Sequence, residues 1–327
     1  MAAEITSVQN NINANFATII KNSGIDYRII MISRHGLVNP DESICITAPL
    51  SGNQTCSTAA PITPAQPQNT ANFFHYSTEI SSYDSLNKII ATYDTPDEFN
   101  LAPTGWKTRL RAGAFKTFIE ITDDDATDYT GASPQVRADN FDKALLAKDP
   151  AQFGTAAKRN YIFHSICGVI ENTAGATVPW ESTAPIQTMK CTTNGGDSVN
   201  SSQTYQYLSR TTGGLRYPIC QFTNYDAVFK KVADGVVQGS KVSCDFTLPP
   251  APMGKEFVLS TAQLAYTPGN GVPERIFKQV PDMAACNADS FYISGGHVYL
   301  CGTTCADVQA DNSAKIEFLL ECNLING

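Results

Sequence analysis

The chain has 327 residues, 42% of them hydrophobic, which suits one large α/β domain with a small companion. A formal net charge of -8, with no Lys/Arg cluster to offset it, argues against nucleic acid as a partner. No apolar run approaches the ~20 residues that span a bilayer, so no integral membrane segment is expected, and residues 1–20 lack the basic start and apolar block of a signal peptide.

Residues 4–22 predict a helix, because Ile5, Val8, Ile12, Phe16 and Ile19/Ile20 recur at spacings of three and four and Gly24 follows as a stop. Residues 27–32 form a short apolar run of the kind buried on both faces of a parallel sheet. A Pro/Ser/Thr/Asn-rich excursion over 40–75 carries Cys45 and Cys56, which are expected to close a loop on each other. Residues 84–92 predict a helix. A second central strand is predicted over 115–122, running straight into Asp123, Asp124 and Asp125. Further elements are a helix near 138–147, a buried strand over 161–170, a short helix over 203–210 stopped by Gly213-Gly214, and an outer strand over 215–219. Pro218 removes a ladder donor there and fits an edge. Residues 223–238 read as an amphipathic helix ended by Gly239.

Beyond Gly239 the period changes to two. Val242, Cys244, Phe246 and Leu248 alternate, and so do Ala262, Leu264 and Tyr266; segments 275–280, 291–293, 297–301 and 315–320 are also strand-like. The expected organisation is therefore an α/β domain over 1–239, with an open, mainly parallel, Rossmann-like sheet and helices on both faces, followed by a Cys-rich antiparallel β extension over 240–327. The ten cysteines are even in number and include no Cys-x-x-Cys pair. That pattern favours disulfides and an extracellular, periplasmic or cell-surface setting. Cys167, inside a predicted buried strand, fits a reduced, packed thiol.

The acidic triplet at 123–125 falls at the carboxyl end of a predicted central strand, where such sheets bind ligands. Adjacent carboxylates repel one another, so a turn that gathers them gains from a hard cation held by oxygen ligands. The bland alternative is a solvated turn whose Asp side chains satisfy their own backbone.

Several pieces together resemble a von Willebrand factor A domain. They are the first helix from Ala2 to Ile20, Ile121-Thr122-Asp123-Asp124 ending an apolar strand, and Tyr207-Leu208-Ser209-Arg210-Thr211-Thr212-Gly213-Gly214 before the last strand. The resemblance covers about residues 1–238. The Cys-rich tail is similar to extensions of exported bacterial members. The resemblance implies a non-enzymatic adhesion module for a protein or glycan ligand, assisted by Mg²⁺ or Mn²⁺ at a metal-ion-dependent adhesion site. Asp123 is then the family's late Asp, Asp124 supports it, and Ser81 or Ser82 stands for the middle hydroxyl. The family's Asp-x-Ser-x-Ser loop is absent. Met1-Ala2-Ala3-Glu4-Ile5 looks like the sequence just after it. The resemblance thus implies that a first strand is lacking, which leaves weak cation affinity and an empty mid-sheet position.

Two other classes compete. Arg34-His35-Gly36 after a strand resembles the start of histidine phosphatases, whose His takes up the phosphoryl group; the remaining histidines, His75, His164 and His297, sit in no partner motif. A structural or assembly protein whose sheet binds no metal is the third reading. Residues His164 and Cys167 point to opposite faces of one strand and read as packed core. Trp106 and Trp180 read as loop anchors.

Overall fold

In a computed structural model the chain divides into two compact units, one of Met1–Ile20 and Tyr27–Val236, the other of Lys21–Asp26 and Val237–Gly327. The structure describes residues 2–23, 25–36, 43–56, 65–111, 113–192, 198–239, 244–248, 251–268, 273–311 and 315–324. Gly24 and Val242, assigned above to a helix end and a strand, lie outside the described residues.

The first helix is α1 (Ala2–Asn11), a π-helical stretch (Ile12–Ala17) and α2 (Thr18–Asn22). Asn13 in the π stretch donates to the Thr47 carbonyl and accepts from the Leu50 amide, tying the helix to the loop closed by the Cys45–Cys56 disulfide. Then follow β1 (Ile29–His35), β2 (Ser43–Ile44), β3 (Phe73–Ser77), α3 (Ser85–Ala91) and β4 (Lys116–Ile121). Next come α4 (Pro134–Lys148), α5 (Pro150–Phe153), β5 (Tyr161–Cys167), α6 (Gln203–Thr212), β6 (Arg216–Pro218) and α7 (Tyr225–Gly239). Local chemistry sets several of these bounds. Ser133 caps α4 through the Val136 amide with Pro134 in its first turn. Gly213 ends α6 at φ +85°. A Cβ on Gly214 would lie 1.9 Å from the Phe163 carbonyl oxygen, so only glycine lets the helix exit press against β5.

Hydrogen bonding arranges the strands as two three-stranded parallel sheets, β2-β1-β3 and β4-β5-β6. The single open sheet expected from the sequence is thus divided. Strand β3 falls at the end of what the sequence suggests is an excursion. Alternate residues of each sheet enter two apolar clusters. Ile29, Met31, Ile119, Ile121 and Ile166 join a cluster with Val8, Ile12 and Phe16 of the first helix and Val228 and Val232 of α7. Ile30, Ile32, Phe118 and Phe163 join another with Leu86 of α3, Phe141 and Leu145 of α4, and Leu208 of α6. Each sheet therefore sends one face into each of the two apolar clusters.

A seam runs between the sheets. Asn72 and Thr78 bracket the β1–β3 ladder through Ile29 and Ser33, so the backbone groups of Ile30 and Ile32 point away from β3. Strand β2 occupies that edge only at Arg34 and His35. The groups of Thr117, Ile119 and Ile121 likewise point away from β5, and no described strand pairs with them. Every residue of β1 from Ile29 to Arg34 and of β4 from Thr117 to Ile121 is only partly buried, whereas β3 is buried throughout. The two runs that the sequence reads as fully buried are half-exposed because they flank this seam.

The second unit carries β7 (Asp245–Thr247), β8 (Lys255–Thr267), β9 (Arg275–Gln279), β10 (Ser290–Ser294), β11 (His297–Leu300), α8 (Gly302–Ala310) and β12 (Lys315–Leu324). They form one sheet in the order β12-β8-β9-β10-β11-β7, antiparallel except for β9–β10. Leu264, Phe277, Phe291, Val298 and Val308 fill its small core. Disulfides Cys244–Cys305 and Cys286–Cys301 staple it. Helix α8 was not signalled by the sequence.

Arg216 is fully buried on β6. Its guanidinium donates to the carbonyls of Glu181, Ala184 and Pro185 and to Gln206 Oε1, holding the 181–187 loop against the sheet. Desolvation lowers its pKa to about 10, still charged near neutrality. Arg216→Met leaves these acceptors unanswered and is expected to cost about 3 kcal/mol or more, read by urea denaturation.

Candidate functional site

Strand β4 delivers its acidic turn to the same end of the layer as the loop following β3. The link is direct, since Thr122 Oγ1 donates to the Ser82 carbonyl at 2.8 Å. Ser82 Oγ then lies 3.4 Å from Asp124 Oδ2. The structure thus brings Ser82, Asp123 and Asp124 to one rim.

The three aspartates meet different surroundings. Asp125 is buried; its carboxylate accepts from Arg137 at 2.8 Å and from the Thr204 amide in the first turn of α6 at 2.8 Å. Arg137 also donates to Thr204 Oγ1 at 3.1 Å. This group caps a helix and binds α4 to α6, a structural duty. Asp124 accepts from its neighbour's amide, Asp125 N–H, at 2.7 Å and from the Asn200 side-chain amide. Asn200 is itself fixed by the Ser202 amide, and Ser202 holds a left-handed φ of 51° while accepting from Gly168 N–H. Asp123 is the remaining one. Its carbonyl accepts from Val199 at 2.8 Å, but its carboxyl Oδ1 is buried with no hydrogen-bond partner. Burial raises its pKa against the pull of a nearby amino charge and of its own backbone amide, and the Glu4 and Asp124 carboxylates add more weakly to the rise.

A buried carboxylate oxygen without a donor, flanked by further negative charge, is a site that favours an added proton, donor or cation. Asp123, Asp124 and Ser82 offer only oxygens, the donor type that suits Mg²⁺ or Mn²⁺ better than zinc. Among the described residues no three His, Cys, Asp or Glu side chains converge as ligands, so water or other oxygens must complete any coordination shell. The sequence points to Asp123, Asp124 and Ser82, with Thr122 in the same motif, but not to Arg137, Asn200 and Thr204, which help place them. The only sequence signal for these was the polar Asn200-Ser201-Ser202 step ahead of α6.

Glu120, three residues before Asp123, hydrogen-bonds to Ser85, whose hydroxyl lies 2.8 Å from Tyr205 Oη. Burial pushes its pKa up to about 7, the Ser85 bond pulls the other way, and Asp84 adds to the rise.

The Arg34-His35-Gly36 sequence lies at the end of β1. His35 is 6% exposed, packs edge-on against His75 and Phe99, and its amide bonds Ser77 Oγ. Arg34 reaches toward Glu79 at 3.9 Å. The His35 ring is thus walled by His75 and Phe99. Burial, with the charge of His35 adding, lowers the pKa of His75 to about 3. His164 accepts from Leu215 N–H and is buried, as is the free thiol of Cys167, whose pKa burial raises to about 11. Trp106 and Trp180 donate to the carbonyls of Ile89 and Ile170 and anchor their loops. Of the closest pair in sequence, Cys301 bonds Cys286 and Cys305 bonds Cys244.

No family model matches the chain, and no curated protein or solved structure is significantly similar to it.

Removing the Asp125 carboxylate orphans Arg137 and an α6 amide, so Asp125→Ala is expected to lose about 3 kcal/mol of stability. Asp123→Asn removes a half-buried charge whose Oδ1 has no hydrogen-bond partner, and is expected to leave the melting temperature unchanged or raised. Calorimetry of both variants checks the contrast. For Glu120 the folded-state pKa lies above its unfolded value, so the stability it allows is complete below pH ~4.5 and falls as pH rises through about 7. Glu120→Gln should flatten that fall and leave the variant about 1–3 kcal/mol more stable than the parent at pH 8, as measured by denaturation across pH.

Proposed function

We propose that the first unit is a non-enzymatic binding module of the von Willebrand factor A type, taking a protein or glycan ligand at the rim formed by Asp123, Asp124 and Ser82. The observation that carries this reading is the buried, partnerless Oδ1 of Asp123 beside a second carboxylate and a hydroxyl. The layering supports it. The first helix packs in one apolar cluster and α3, α4 and α6 in the other, so helices cover both faces, as in open α/β sheets. In such sheets ligands bind outside the carboxyl ends of strands. On this reading the two half-sheets are parts of one open, Rossmann-like sheet.

A divalent cation, if bound, would be held by Asp123 and Asp124 with Ser82 beside them, and would supply positive charge for a carboxylate or hydroxyl of the ligand. Asn200 and Thr122 keep the two loops in place. Two carboxylates and one hydroxyl make a sparse ligand set, so affinity is low. The setting is outside the reducing cytoplasm. Four disulfides are consistent with an extracellular or secreted protein, and no described helix is long and apolar enough to cross a membrane.

Isothermal titration with MgCl₂ and MnCl₂ tests the reading. Weak saturable binding that Asp123→Asn abolishes and Ser82→Ala weakens is expected. Heats indistinguishable from dilution for the parent chain would remove the cation from the mechanism.

A further inference from the structure

Strand β5 carries a histidine whose surroundings fit only the uncharged ring. His164 is 2% exposed, and its ring turns toward α7, where a Cβ on Gly235 would lie 3.7 Å from Cε1 and 3.9 Å from Nε2. Its Nδ1 accepts the Leu215 amide at 3.0 Å. A ring nitrogen that accepts an N–H carries no proton of its own, so the one ring proton resides on Nε2. That nitrogen is buried without a hydrogen-bond partner. A second proton can go only to Nδ1, where it meets the Leu215 N–H and breaks the bond. The bond sits at the entry to β6. Leu215 returns its carbonyl to the Ser165 amide at 3.0 Å, and the chain at Gly214 runs so close to β5 that a Cβ there would lie 1.9 Å from the Phe163 carbonyl oxygen. The start of β6 is thus fastened to β5 partly through the His164 ring.

No opposite charge faces this ring. Ile119 of β4 pairs with His164 on one side, and Leu215 and Tyr217 of β6 lie on the other. Val228, Val232 and Val236 of α7 join the same apolar cluster as Ile119, Leu215 and Tyr217. Tyr217 is the titratable group among these, and burial raises its pKa, so it stays neutral in acid. Lys231 and Asp234 of α7 are exposed, and Arg216 on β6 is engaged by the carbonyls of the 181–187 loop. Burial lowers the pKa of His164 from an ordinary 6.5 to about 4.

We propose that His164 is an acid-sensitive lock, in which one proton taken up by the ring releases the start of β6 and α7 from β5 as a local opening of the first unit. The sign follows from linkage. The opened ring binds a proton below pH ~6.5, and the closed one only near pH 4, so the closed state loses stability as pH falls between those values. One proton per opening shifts the equilibrium about tenfold per pH unit. His75, the other buried histidine with a lowered pKa, lies on β3 against His35 and the Ser33 carbonyl, so its titration acts on β1 and β3 instead.

The test is amide hydrogen exchange on the full chain from about pH 7 to about pH 4.5, expressed as protection so that the intrinsic pH dependence of exchange cancels. In the parent, protection at Leu215 and along α7 is expected to fall about tenfold per pH unit below pH ~6.5, while the β1–β3 ladder stays level. His164→Gln keeps an acceptor without a titrating ring, and should leave Leu215 and α7 protected in acid. His164→Asn takes its place if the Gln variant does not fold. Unchanged protection at Leu215 and α7 across this range in the parent overturns the proposal, and so does an acid loss that persists in the folded variant. A loss that begins along β1 and β3, or everywhere at once, also overturns it, since His75 or global unfolding then accounts for the response.

Discussion

Because β1 and β4 exchange no ladder hydrogen bonds, their alignment depends on the two apolar clusters packed above and below them. The first helix and α7 bridge one face, and α3, α4 and α6 bridge the other. Each large apolar side chain fully buried there contributes roughly 1.5–3 kcal/mol, so the helices packed on the two clusters can hold β1 and β4 without ladder bonds between them. The described strands leave one edge of β1 and one of β4 largely without ladder partners, in keeping with the partial exposure of Ile29 to Arg34 and of Thr117 to Ile121.

The rim illustrates how one residue type acquires three duties from its partners. Asp125 is neutralised by Arg137 and spends its other oxygen on the start of α6. Asp124 is held by amides from Asn200 and Asp125. Asp123 receives none on Oδ1, although it is half buried and faces two further carboxylates. The first two build the platform, and the third carries the unmet electrostatic demand that a ligand can answer. The partly buried Glu120, whose pKa burial pushes up to about 7, hydrogen-bonds Ser85, which in turn meets Tyr205.

The second unit relies on different physics. Its core is a handful of side chains around Leu264, Phe277 and Phe291, too small to secure a six-stranded sheet alone. Two disulfides add constraint by tying the start of β7 to α8 and the loop before β10 to the end of β11. Stacked Tyr292 and Tyr299 show that cross-strand pairing also carries part of the stability on its partly exposed face.

The sequence by itself determined what neighbouring residues encode. The stripe from Val8 to Ile20, the apolar runs at β1, β4 and β5, the Ser133-Pro134 start of α4 and the Gly213 stop of α6 are all legible because helix period, strand period and capping act over a few positions. So is the Cys45–Cys56 loop, whose ends are only 11 positions apart. Tertiary structure alone decided the rest. Strand β3 forms where polar residues hide a five-residue run, and it becomes visible only through pairing with β1. The partners of Cys301 and Cys305, the division of the sheet at the seam, and the separate fates of Asp123, Asp124 and Asp125 depend on groups distant in the chain, such as the Thr204 amide 79 positions beyond Asp125. Contacts at that range are set by the packing of whole layers, and no local period records them.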